Sequence, residues 1–121
     1  MQINLETQSQ HSIQAYNEKQ IRVQDIDYSE NLLMDATQII SKWPIHSINE
    51  LTMANLEPIL SAKPEIIIIG HAQPSIQLPI SILEQLSKRR IGIECMSIGA
   101  ASRTFNVLLS EHRAVAIGII F

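Results

Sequence analysis

The 121-residue sequence holds a single cysteine, Cys95. That excludes an intramolecular disulfide and a thiolate metal cluster. Charged residues make up only 17% of the chain, against about 25% in ordinary domains. The longest basic run is the triplet Lys88-Arg89-Arg90, and the net charge is −3. A surface that tracks nucleic-acid phosphates needs a stripe of Lys and Arg, so no nucleic acid is expected as partner. The first twenty residues carry neither a basic start nor an apolar core, as a secretory signal would. The longest pure aliphatic run is Ile66–Ile69, far below the roughly 20 residues of a membrane span. HExxH, CxxC and GxSxG are all missing, and these are the patterns that mark zinc sites, thiol redox pairs and nucleophile elbows. No metal, no cofactor and no catalytic set is expected. A cytoplasmic location fits the single cysteine and the missing signal.

Apolar residues are abundant: 45% of the chain, with twenty-two isoleucines. A chain of this length buries about two thirds of its surface on folding, enough for one core. Residues 1–19 are polar and weakly patterned, with short alternations at Ile3/Leu5 and Ile13/Ala15. From residue 20 to 121 the pattern is that of one α/β domain. Ile21–Val23, a turn near Asp25–Glu30, Asn31–Met34 and Thr37–Ser41 predict a hairpin or meander. Trp43-Pro44 closes that segment, since proline biases its predecessor toward extended backbone. Thr52 is the candidate cap of a helix through Leu60, with Leu51 as its staple; Ser47 is a rival cap.

Ile66–Ile69 has no polar face. That predicts a strand buried on both sides, central in a sheet, ending at Gly70. A loop over 71–79 leads to a helix from Pro79, with Ile80, Leu83 and Leu86 at helical spacing. Lys88, Arg89 and Arg90 fall in its last turn, where cations complement the dipole. Ile91–Met96 predicts the next strand. A helix then starts at Gly99 or Ser102 and runs to about Ser110. Ala101, Phe105, Leu108 and Leu109 share its inner face. Glu111–Arg113 reads as a turn and Ala114–Phe121 as a last strand. The order β-α-β-α-β with short connections gives parallel pairing and helices on the faces. The expected fold is a single three-layer α/β domain with a mixed central sheet.

Loops at the carboxyl ends of parallel strands are where α/β folds place ligands. Two such rims follow from the reading. The first holds His71 and Gln73. The second is Ser97–Thr104, leading into a helix, with Ser102, Arg103, Thr104 and Asn106 as its polar side chains. Arg103 in a first turn opposes the dipole, so it calls for a partner: a brace to the loop after Ile69, an acid such as Glu94, a protein, or a small anion. Cys95 alternates with Ile91 and Ile93 and reads as a small packed side chain. Trp43 reads as a packing anchor.

The stretch RIGIECMSIGAASRTFNVLLSEHRAVAIGIIF, with Arg103-Thr104-Phe105-Asn106-Val107-Leu108 matching an R-T-[FY]-N-x-L core, resembles a known family. So do Trp43-Pro44, Glu65–Gly70 and Leu78-Pro79. It is the small α/β family of uncharacterised bacterial and archaeal proteins that also contains mitochondrial respiratory complex I assembly factor 3. Three departures fall on the rims: Gly70-His71-Ala72 for a usual G-T-G, Ser97-Ile98 for Asp-Thr, and Ser102 for a common cysteine. The resemblance implies a non-enzymatic assembly or interaction protein. A protein partner would then bring any peripheral membrane association, and a homo-oligomer is compatible. The alternative is a small-molecule or anion binder, or an enzyme, at the rim of the 70–79 loop and Arg103.

Overall fold

The structure, a computed structural model, describes residues 11–73 and 77–121. The Ile3/Leu5 alternation and the middle of the 71–79 loop lie outside them. Three short strands, β1 (Ala15–Tyr16), β2 (Ile21–Val23) and β3 (Ile26–Tyr28), pair antiparallel in sequence order. They form a small meander of their own, but not the one the sequence predicts: β3 occupies the expected turn, and the segments expected to complete the meander, Asn31–Met34 and Thr37–Ser41, pair in the main sheet instead. β1 lies inside the weakly patterned 1–19 segment. The main sheet holds β4 (Leu32–Asp35), β5 (Ile39–Ile40), β6 (Ile66–His71), β7 (Gly92–Ser97) and β8 (Val115–Ile120), in the order β5-β4-β8-β6-β7. β6, β7 and β8 run parallel, while β4 joins β8 antiparallel. The last strand therefore inserts between β4 and the central strand β6.

Residue parity splits the core. Leu33, Ile67, Ile69, Ala116 and Ile120 face the helices α1 (Met53–Leu60) and α2 (Ile80–Lys88). Leu32, Met34, Ile68, Val115 and Ile117 face α3 (Ile98–Ser110) and the meander. Three layers result, as expected. Ile67, Ile68 and Ile69 have no exposed surface, which is the burial on both faces that a pure β-branched run demands.

α1 starts at a capping box. Thr52 Oγ1 accepts from Asn55 N (3.2 Å), and Asn55 Oδ1 accepts from Thr52 N (2.9 Å). Leu51 is buried beside it. Ser47 caps only a short 3₁₀ turn, Ile48–Glu50, and its hydroxyl donates to Asn49 Oδ1 rather than capping the backbone. Trp43 is buried and its Nε1 donates to Asn55 O at 2.8 Å. It is a packing anchor.

Among the boundaries that differ from the sequence reading, four concern the ends of β6 and of the helices. β6 runs past Gly70 to His71, because parallel pairing on both sides holds through His71↔Ser97 and His71↔Ile120. α3 starts at Ile98, not at Gly99 or Ser102, since Ser97 caps it by accepting from Ala100 N. α2 ends at Lys88, so Arg89 and Arg90 fall beyond its last turn. Pro79 sits at its N-cap rather than inside it.

Candidate functional site

β6 and β7 end side by side, and the chain reverses direction across the sheet at that point. α2 connects β6 to β7 on one face, and α3 carries the chain back over β6 to β8 on the other. Such a switch point opens a crevice at the carboxyl ends of the strands. Here the crevice is a cleft of about 480 Å³. Its walls are His71–Gln73 after β6, Ser97–Gly99 at the start of α3, and Tyr16–Glu18 from the β1–β2 turn. That turn is fixed locally: Asn17 Oδ1 accepts from Lys19 N (2.7 Å) and Gln20 N (2.9 Å). This is the side-chain mimic of a backbone turn that asparagine provides.

Arg103 holds the turn in place from below. Its Nη1 donates to the Tyr16 hydroxyl at 2.6 Å, and its guanidinium lies 5.8 Å from the ring centroid. Among the described residues no carboxylate lies within ion-pair distance of it. Its brace is thus to the meander, rather than to Glu94, which is exposed.

The other sequence-derived candidates separate in space. His71 and Gln73 line the cleft. Ser102 is buried and donates back to Ile98 O (2.8 Å). Thr104 Oγ1 meets Met96 Sδ at 3.7 Å. Asn106 clamps the backbone of Ile13, accepting from its N–H (2.7 Å) and donating to its C=O (2.9 Å). These three side chains are engaged within the fold, and the cleft is bounded instead by Tyr16, Asn17, Glu18 and Gly99. Sequence reasoning placed Gly99 on the second rim but missed Tyr16, Asn17 and Glu18, because residues 1–19 read as weakly patterned. The usable signal was an Asn-Glu-Lys turn between two alternating stretches.

The chemistry of the cleft is sparse. His71 Nδ1 is buried without a hydrogen-bond partner among the described residues, an arrangement native proteins rarely leave unexplained. No group of three His, Cys, Asp or Glu side chains among the described residues is placed to hold a metal ion. Cys95 lies outside the cleft and packs against the α1/α2 face of the sheet. Burial pushes its thiol pKa up, away from the lowered value of a reactive thiolate. A second surface lies on α2, where Ile80 is 73% and Leu83 40% exposed. One turn apart, they are neighbours on the helix. α2 packs on β7, an edge strand whose Ile93 and Cys95 are only half-buried. No helix among the described residues is long and apolar enough to cross a membrane.

The comparisons with known proteins agree with this architecture. Residues 13–120 match the model of a family described as protein of unknown function (DUF498/DUF598). A "13 kDa major membrane protein" of Francisella tularensis is 32% identical over 95 residues, 78% of this chain and 77% of that one. The zebrafish (Danio rerio) NADH dehydrogenase [ubiquinone] 1 alpha subcomplex assembly factor 3 is 30% identical over 83 residues. That match takes in 67% of this chain and 48% of the zebrafish protein, so the chain spans about half of that relative. The solution structure of Xanthomonas campestris XCC1710 superposes with a TM-score of 0.81 at 28% identity, covering 89% of this chain and 82% of that one. The motif around Arg103 and the three-layer fold thus point the same way: the chain belongs to the DUF498/DUF598 family, a small and mostly uncharacterised α/β family distantly related to that assembly factor.

Proposed function

We propose that this chain is a non-enzymatic, cytoplasmic interaction protein that works as an assembly factor in respiratory-complex biogenesis. The observation that carries the reading is the outward pair Ile80 and Leu83 on α2, the helix that packs on β7, the last strand of the sheet among the described residues. A single exposed apolar residue is ordinary. Two that are neighbours along a helix make a surface suited to a protein partner. The assembly-factor name of the zebrafish relative supports the same class, and the sparse chemistry of the cleft suits a protein without a reaction of its own. The test is affinity capture from native lysate with wild type and an Ile80→Asp/Leu83→Asp variant of unchanged circular dichroism. Respiratory-complex subunits or their maturation proteins are enriched by wild type and lost by the variant. Their absence from the wild-type capture, or equal capture by the variant, overturns the reading.

A second reading rests on the unpartnered His71 Nδ1 in the wall of the cleft. It makes the cleft a seat for a small polar molecule. A metabolite screen by NMR, followed by the same titration on His71→Ala, decides it. A ligand that moves the Gly99 and Gln73 amides only in wild type supports it, and a screen without one sets it aside.

A further inference from the structure

The opposite pole of the sheet carries a different chemistry. β6, β7 and β8 start in register there (Ile66↔Gly92, Ile66↔Val115). The three preceding helices therefore all end at this pole. Each is followed by a non-glycine residue in left-handed backbone: Lys63 (φ 52°) after α1, Arg90 (φ 59°) after α2 and His112 (φ 60°) after α3. The backbone turns are those of helix C-caps. Ile91 N donates to Leu86 O and Arg113 N to Leu108 O, both at 3.0 Å, the bond that closes a Schellman motif. Glycine or asparagine is the ordinary occupant of that left-handed position. In this chain two of the three are a lysine and an arginine.

Between the first two caps lies a pocket of about 420 Å³, lined by Lys63, Arg89 and Arg90 with Leu60, Pro64 and Ile91. The carboxylate in its wall belongs to Glu65, and it is already engaged by Arg113 Nε at 3.1 Å and Ala114 N at 3.4 Å. Among the described residues no carboxylate lies within ion-pair distance of Lys63, Arg89 or Arg90. Helix-dipole compensation accounts for Lys88, inside the last turn of α2, and for Arg89 at its C-cap. It does not account for Lys63 and Arg90, which lie past the ends of α1 and α2. Five of the nine lysines and arginines of a net-negative chain (Lys63, Lys88, Arg89, Arg90 and Arg113) gather at this pole.

We infer that this pocket binds a phosphate-bearing anion, with Arg89, Arg90 and Lys63 as its ligands. Adjacent guanidinium forks match the oxygens of a phosphoryl group, and a lysine adds a point charge. Leu60 and Ile91 give an apolar wall for the carbon skeleton that carries the phosphate. The anion's source is either a soluble phosphate ester or the headgroup of an anionic lipid. The site lies across the sheet from the cleft and from Ile80, and the inference does not rest on the proposed assembly role.

The test uses the full chain, ¹⁵N-labelled, at constant ionic strength. It is titrated with glycerol phosphate against matched chloride, and separately sedimented with phosphatidylglycerol/phosphatidylcholine vesicles and with pure phosphatidylcholine vesicles. Saturable shifts centred on the amides of residues 61–65 and 89–92 are expected, weakened about tenfold or more in Arg89→Gln/Arg90→Gln, a loss equal to one good charge-assisted bond. Arg22→Gln, outside the pocket, keeps wild-type binding. Lys63→Gln gives an independent reading from the other wall if the arginine double variant fails to fold. Binding of glycerol phosphate alone assigns a soluble ester, and sedimentation with the anionic vesicles as well assigns a lipid headgroup. Shifts no different from chloride together with no vesicle binding, or shifts that both pocket variants retain, overturn the inference.

Discussion

The ring of Tyr16 lies directly on the bare α-carbon of Gly99. A β-carbon added to Gly99 would stand 2.9 Å from Tyr16 Cε1 and 3.3 Å from Arg103 Nη1. The meander thus reaches the start of α3 through a glycine, and the cleft has its depth because that helix begins without a side chain there. Gly99→Ala must push the tyrosine outward. Tyr16 is 39% exposed, so the ring can move, and alanine improves helix propensity by about 1 kcal/mol. We predict stability within about 1 kcal/mol of wild type, with large NMR shifts confined to Tyr16–Gln20 and Arg103. Arg103→Ala gives the same Tyr16 shifts by removing the brace, at a cost below about 1 kcal/mol for an exposed contact. A Tyr16 environment unchanged in both variants contradicts this account of the cleft.

Asn106 ties the chain ahead of β1 to α3 through two bonds to one residue, Ile13. Asn106→Ala leaves a backbone N–H and C=O unpaired at a half-buried position. The expected loss is about 2 kcal/mol by chemical denaturation, with faster hydrogen exchange over residues 13–23. Asn106→Asp keeps the acceptor for Ile13 N–H but loses the donor, and so falls between alanine and wild type. Equal stability of all three would remove the clamp from the list of features holding the meander.

Gly118 sits under Trp43. A β-carbon there would come within 2.8 Å of Trp43 Cζ3 and 3.1 Å of Ile69 Cδ1, both buried side chains. Gly118→Ala is expected to cost about 1–3 kcal/mol by overpacking. Trp43→Phe shortens the ring but also gives up the Nε1 bond to Asn55 O. The double variant is therefore predicted to be more stable than the sum of the two single losses, since each change relieves the other. Additive losses in urea melts would show that the two residues do not press on each other.

What the sequence made legible was local. Ile66–Ile69 declared a doubly buried strand by having no polar position, and Thr52 declared a helix start as a cap-type residue beside the apolar staple Leu51. The rims at His71 and at the start of α3 followed from strand-then-loop order. What stayed hidden depended on distance along the chain. The Asn106 clamp joins residues 93 apart and the Arg103–Tyr16 bond residues 87 apart, and neither leaves a periodic trace. β8 enters between β4 and β6 by pairing that only the folded sheet defines. Gly70 read as a stop because glycine weakens a strand alone, while pairing on both sides carried β6 through it. Arg103 drew notice as a cation in a first turn, but with α3 starting at Ile98 it lies in the second turn, and the tyrosine that answers it stood in the least patterned stretch.

Glu65 gives the amino-terminal pole a dependence on acid. The Arg113 hydrogen bond, then the Ala114 N–H, hold its carboxyl below the ordinary value of 4.5. A group whose folded pKa is depressed contributes stability above its unfolded value and loses it as pH falls through the folded one. The link between the start of β6 and the turn before β8 is therefore intact at neutral pH and weakens below about pH 4.5. The pair is exposed, so the effect is local rather than global. We predict that the Arg113 Nε–H and Ala114 N–H resonances move together with a midpoint below 4.5, and that Ala114 exchange quickens relative to its intrinsic rate. Glu65→Gln keeps an acceptor without the charge and flattens both titrations. Because Glu65 is also the carboxylate in the wall of the basic pocket, its protonation leaves Lys63, Arg89 and Arg90 facing less negative charge. Glycerol phosphate should then bind Glu65→Gln at least as tightly as wild type at neutral pH, and weaker binding would show that Glu65 organises the pocket rather than opposing the anion.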